Sequence, residues 1–254
     1  MGKRLIESHS SLESGLRYLR DRYARTYIWL TATANRRRYA APADPYRFVE
    51  VDPHSIERVA ELPGPLYLNA GAVVGGAWDR TTTRFVDLDV YRAYERHFED
   101  GVPWHETDFF ERIVGELAAG HERWGCRTRA EFEARCGRID DLYDRIEESG
   151  YRTQDELHEH ASEDPIKPPN RLPTERLTDE IAVHIGRDGR LLFEDGRNRL
   201  SIVKLLDLDR IPVRVLRRHA AWQDVRDAYV AGDSAARDYA AHPDLASLSF
   251  GSRP

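Results

Sequence analysis

The chain has two cysteines, one methionine and three lysines in 254 residues, and each scarcity narrows what it can be. Cys126 and Cys136 have neither the number nor the spacing for a disulfide scaffold or a structural zinc site, and they read as packing residues at helix flanks. Long apolar runs are missing as well. The longest, Tyr27 to Ala34, is interrupted by threonine and falls far short of the roughly 20 residues that cross a bilayer. With 32% charged residues and a mean hydropathy of -0.65, the composition is that of a soluble protein. Before Glu7 and His9 there is no apolar stretch of signal-peptide length, so the expected location is cytoplasmic, with no membrane partner. A general positive field is absent too: the net charge is -6 and the pI near 6.0, so any nucleic-acid contact requires a local basic patch. Arginine outnumbers lysine 35 to 3, which reads as a bias of the source rather than as 35 functional guanidiniums.

What is present is mixed α and β patterning. Leu12, Leu16, Leu19, Tyr23 and Tyr27 recur at helical spacing and predict an amphipathic first helix over Ser10 to Leu30. A joint rich in Pro and Ala leads to a strand over Tyr46 to Val51, and Asp52-Pro53 opens a predicted helix through Ile56 and Val59. Pro65 to Phe85 is Gly-rich and reads as turns. Helices follow over Leu88 to Phe98, Glu106 to Ala119 and Arg129 to Glu148, with Gly150 as a stop. Residues 156 to 173 are charged and proline-rich and read as a loop. The last third alternates: a strand over Glu180 to Ile185, a turn at Arg187-Asp188-Gly189, a strand over Leu191 to Phe193, a helix over Asn198 to Leu206, a strand over Ile211 to Leu216 and a helix over Ala221 to Ala231. The tail after His242 is expected to be loosely ordered.

The most informative stretch is Phe193-Glu194-Asp195-Gly196-Arg197-Asn198-Arg199-Leu200, followed by Lys204-Leu205 and Ile211-Pro212-Val213. A glycine turn that feeds a helix start leaves backbone N–H groups unpaired and points the positive end of the helix dipole outward, which suits a phosphate. Arg197 and Arg199 add charge-assisted donors. The same residues fit an ordinary solvated helix start. Asp195, Gly196, Arg199, Leu200, Lys204, Leu205 and Ile211-Pro212-Val213 resemble the turn, short helix and I-P-V strand of ParB/sulfiredoxin-like domains, over Asp179 to His219. The resemblance implies a small mixed β-sheet with packed helices and a nucleotide bound at the turn by Asp195, Gly196, Arg197, Asn198, Arg199 and Lys204. Its members include CTP-hydrolysing partition proteins, an ATP-using sulfinic acid reductase and a free-serine kinase. Asn198 stands where the pattern often has histidine; it can donate to a phosphate but cannot act as an acid or base near neutral pH. No cysteine stands in the turn, which argues against the reductase.

The resulting expectation is an α+β protein with an N-terminal helix and joint over 1–45, a ParB/sulfiredoxin-like core from 46–64 and 174–232, a mainly helical insertion over 65–173 and a tail over 233–254. The leading function is a nucleotide-binding protein, a phosphotransferase or NTP hydrolase, taking ATP or CTP with Mg²⁺ and passing phosphate to an acceptor the sequence does not identify. Asp79, beside Gly75-Gly76, and Glu106 are the candidate catalytic carboxylates. Each has an ordinary structural reading, Asp79 in a turn anchored by Trp78 and Glu106 as a helix-start charge. The alternative is a non-catalytic module of the same kind that associates with DNA or recruits a partner. DNA is the less favoured partner, since no helix-turn-helix follows the core and Arg36-Arg37-Arg38 stands without interleaved aromatics. His158-Glu159-His160 reads as a solvated pair rather than a metal site, and His219 and Trp222 stand where side chains can reach the turn.

Overall fold

A computed structural model describes residues 2–60, 62–160, 162, 164–167 and 172–252, with side chains from Ser14 onward. In chain order the elements are α1 (Gly2–Arg38), β1 (Phe48–Val51), β2 (Arg58–Val59), β3 (Ala72–Val74), α2 (Asp89–Phe98), α3 (Asp108–Ala118), α4 (Arg129–Ser149), α5 (Gln154–Glu159), α6 (Pro173–Thr178), β4 (Ala182–Ile185), β5 (Leu191–Asp195), α7 (Arg197–Leu205), β6 (Ile211–His219) and α8 (Ala220–Ala231). The protein is mixed α and β, with six described strands in one mixed sheet.

The sheet is organised around its inner strands β4, β5 and β6, which carry most of its buried apolar residues. All four residues of β4 are buried, as expected for a strand covered on both faces. It pairs parallel with β6 and antiparallel with β5, giving the order β1-β6-β4-β5-β2. The free side of β6 is shared: β1 runs antiparallel along its first half, from Phe48 opposite Arg214 to Val51 opposite Ile211, and β3 runs parallel along its end, from Ala72 opposite Arg217 to Val74 opposite His219.

Alternation along the strands divides two apolar layers. Val183, Ile185, Phe193, Val213 and Val215 pack with Leu200, Ile202 and Val203 of α7 and with the aromatics of α2 to α4. Ala182 and Leu216 face the other way, onto Ile28 of α1 and Leu177 of α6. Each large aliphatic or aromatic side chain buried here contributes about 1.5–3 kcal/mol of transfer free energy. Helix starts carry threonine caps that the sequence spells out: Thr107 accepts from Phe110 N at α3, Thr128 from Glu131 N at α4, and Thr153 forms a capping box with Glu156 at α5.

Several expectations give way. The helix expected after Asp52-Pro53 is a single 3-10 turn over Pro53–Ser55. Asp52 accepts from His54 N at 2.7 Å and closes it, and Arg58 and Val59 then join the sheet beside β5, so strand pairing overrides the helix-start signal. The Gly-rich stretch read as turns supplies β3, which places a sheet strand inside the segment assigned to the helical insertion. Helices α5 and α6 occupy the ends of the expected loop over 156–173, of which 161, 163 and 168–171 lie outside the described residues. The tail is packed rather than loose. Buried Asp244 accepts from both Arg218 nitrogens at 2.5 and 3.0 Å and from Trp222 Nε1 at 2.9 Å, and its backbone carbonyl accepts from Arg226 at 2.7 Å.

Candidate functional site

The turn between β5 and α7 requires glycine for two independent reasons. Gly196 has φ 89° and ψ 29°, the left-handed region that L side chains rarely adopt. A Cβ there would also lie 2.8 Å from Glu180 O and from Ile181 Cα. Close approach of the turn to the start of β4 is therefore built into the backbone, and it brings Asp179 and Glu180 beside the first turn of α7.

The residues of that turn lie deeper than a solvated helix start would. Arg199 is 2% exposed, pairs with the carboxylate of Asp164, and donates to Asp179 O at 3.0 Å. Asn198 accepts from Tyr94 OH at 2.9 Å beneath α2. Arg197 places its guanidinium 5.7 Å from the Trp124 ring. Lys204, at the far end of α7, lies 5.7 Å from the Phe85 ring, and burial lowers its ammonium to about 8 against the attraction of Asp52 and Glu57. Arg197, Asn198 and Arg199 thus turn to three different neighbours, only Arg199 joins a cluster with Asp164 and Asp179, and Lys204 belongs to other surroundings.

The cluster continues into residues that the sequence reading passed over. Glu180, with no exposed side-chain surface, accepts from Gln154 N at 2.8 Å and from Tyr151 OH at 3.1 Å. Burial raises its carboxyl to about 7, although Arg199 and Arg214 attract the charged form. Gln154 also donates to Asp164 at 2.7 Å. Burial works to raise the Asp164 carboxyl, but Arg199 and these donors hold it below its ordinary value. Beside this network is a cavity of about 310 Å³ between α4, the segment after Gly150 and α7. Leu142, Ile146 and Leu157 make an apolar wall, and Arg145, Arg152 and Arg199 also line it. Its size falls at the lower end for small-ligand sites. The acidic pair Asp179-Glu180 ahead of a fully buried strand was the available signal. Tyr151 and Asp164 carried none, because they lie in loops.

The two carboxylates expected to catalyse do not join this site. Asp79 is chelated by Arg187, at 2.8 and 2.7 Å from Nε and the terminal nitrogen, and also accepts from Arg187 N at 2.9 Å. That contact holds its carboxyl well below the usual range. It closes the Gly75-Gly76 turn, where Trp78 Nε1 donates to Val74 O at 3.0 Å, so the structural reading of that turn prevails. Glu106 is exposed on a 3-10 turn over Trp104–Glu106, 3.8 Å from His105. His219 caps α8 through Ala221 N, and Trp222 is fully buried against the tail. Among the described residues no three His, Cys, Asp or Glu side chains converge on a point that would hold a metal. No helix among them is long and apolar enough to cross a membrane. In comparisons with family models, curated proteins and solved structures, nothing matches this chain.

Proposed function

We propose that the chain binds a phosphate-bearing small molecule, a nucleotide such as ATP or CTP, in the cavity between α4 and the first turn of α7. The observation that carries the reading is Arg199, a buried guanidinium reaching an apolar-walled cavity that Arg145 and Arg152 also line. A planar base fits against Leu142 and Ile146, and phosphate oxygens fit forked guanidinium donors. The resemblance of the Asp195 to Arg199 turn to ParB/sulfiredoxin-like domains supports a nucleotide over other anions. Asp164 is then an internal carboxylate on Arg199, and an incoming phosphate competes with it.

The protein groups present suit phosphate rather than a protein-held Mg²⁺, since Asp79 is committed to Arg187 and Glu106 is remote on a surface turn. Binding is accordingly the core of the proposal, and phosphoryl transfer has no assigned carboxylate. The test is calorimetry and thermal shift with ATP, ADP, CTP and GTP on the wild type and on Arg145→Ala and Arg152→Ala, whose exposed side chains leave the fold intact. Saturable binding should weaken roughly tenfold in each variant, the worth of one charge-assisted hydrogen bond at about 1.4 kcal/mol. The reading falls if none of the four binds, or if binding ignores both substitutions.

A further inference from the structure

Helix α1 turns Ala24, Ile28 and Ala32 inward. On another side, Tyr18, Arg22, Arg25, Thr26 and Trp29 form a stripe that faces Tyr46 of the following joint across a groove of about 520 Å³. Single exposed rings are ordinary surface. Three in one groove, Tyr18 at 54%, Trp29 at 58% and Tyr46 at 48% exposed, with two guanidiniums between them, are not. Neither the Arg22 nor the Arg25 guanidinium makes a hydrogen bond or ion pair among the described contacts, whereas Arg17 and Arg20 engage Glu175. From Ser14 to Arg38 the helix carries seven arginines and one acid, Asp21. That acid is buried and accepts from Thr174 N at 3.0 Å and Thr174 Oγ1 at 2.5 Å. A chain of net charge -6 therefore presents a cationic helix face interleaved with aromatics. Asp44 accepts from the Tyr46 backbone N at 2.9 Å.

We propose that this groove binds single-stranded nucleic acid, with bases stacked on Tyr18, Trp29 and Tyr46 and backbone phosphates on Arg22 and Arg25. Rings stack on any exposed base, and guanidiniums between them neutralise the phosphates that link those bases. Tyr18 and Trp29 are separated by about 16 Å along the helix axis, room for a few nucleotides. The groove holds no Asn or Gln to read a base edge, and the Thr26 hydroxyl is spent on Arg22 O at 2.9 Å, so recognition by ring stacking is sequence-tolerant. A duplex keeps its base faces stacked away from such rings, and a bilayer is flat where the groove is concave. The site lies on α1, apart from the cavity beside α7, and does not depend on nucleotide binding there.

The experiment is fluorescence anisotropy of labelled oligo-dT and oligo-rU with the full chain, in 50 and 200 mM salt. The same measurement is made with a duplex and, by co-sedimentation, with phosphatidylglycerol vesicles. Two phosphate contacts should weaken single-strand binding about sevenfold across that salt range. Trp29→Ala should cost roughly tenfold, and the double substitution Arg22→Glu/Arg25→Glu should abolish binding. Arg145→Ala and Arg152→Ala should leave it unchanged. All these positions are exposed, and far-UV circular dichroism checks that each variant folds. The proposal is overturned by no single-strand binding at 50 mM salt, by binding that survives these substitutions, by preference for duplex, or by vesicle binding without oligonucleotide binding.

Discussion

Glu180→Gln isolates one proton of the buried network. Glu180 has no exposed side-chain surface and is held by Gln154 N and Tyr151 OH, and burial moves its carboxyl from 4.5 to about 7. At about 1.4 kcal/mol per pH unit, that displacement corresponds to about 3 kcal/mol. The direction follows from proton counting. Below pH 4.5 the group is neutral in both states and costs nothing. Between 4.5 and about 7 the folded protein keeps a proton that the unfolded chain has released, so stability falls as pH rises through this window. Above it the full cost of a buried charge persists. Glutamine keeps the shape and the acceptor but does not titrate. The difference in unfolding free energy between wild type and variant should therefore move by about 3 kcal/mol from pH 4.5 to 8, with the wild type losing. Urea unfolding followed by circular dichroism at four pH values measures it, and titrations common to both proteins cancel. A difference constant to within about 1 kcal/mol would refute the assignment of a raised carboxyl to Glu180.

Two further outcomes test the frame around the site. Gly196→Ala combines a left-handed backbone with a Cβ 2.8 Å from backbone atoms of Glu180 and Ile181, and should cost about 2 kcal/mol or more, seen as a fall in Tm of about 4–8 °C. Asp244→Asn leaves Arg218 and Arg226 buried without their countercharge and should cost about 3–5 kcal/mol. Burial alone would raise this carboxyl, but the two arginines hold it well below the usual range, so wild-type stability from this source is present at neutral pH and lost on acidification. Acid unfolding of wild type against variant reads that loss.

The sequence made the regular elements of the last third legible because their signals are local. Alternation marks β4, the short apolar run Leu191 to Phe193 marks β5, Asp188-Gly189 the hairpin between them, and Gly196 the break before α7. Long amphipathic patterns likewise announced α2, α3 and α4. Legibility fails where partners are distant. Arg58-Val59 and Ala72-Val74 are strands only because β5 and β6 offer free edges to them, and nothing in a short stretch of sequence records an edge. The candidate site divides in the same way. The glycine turn and its arginines were visible as a motif. That Arg199 would be buried against Asp164, and that Asp79 would be chelated by Arg187, depended on loops folding across the chain. The aromatic and arginine stripe on α1 was present in the sequence, but Tyr46 completes it only after the joint turns back.

The shared edge of β6 has a consequence for how the protein is made. Strands β1 and β3 come from the first third of the chain, yet both pair with a strand near its end. A nascent chain emerging from the ribosome can fold the α3–α4 layer early, and the β4–β5 hairpin as soon as it is out. The strands near its start have unpaired edges until Ile211–His219 is synthesised. Pairings of such long sequence separation form slowly and leave aggregation-prone intermediates. Fragments ending before Ile211 should therefore be recovered mainly as insoluble material, while slower translation near Asp207 or extra chaperone should raise the yield of the whole chain.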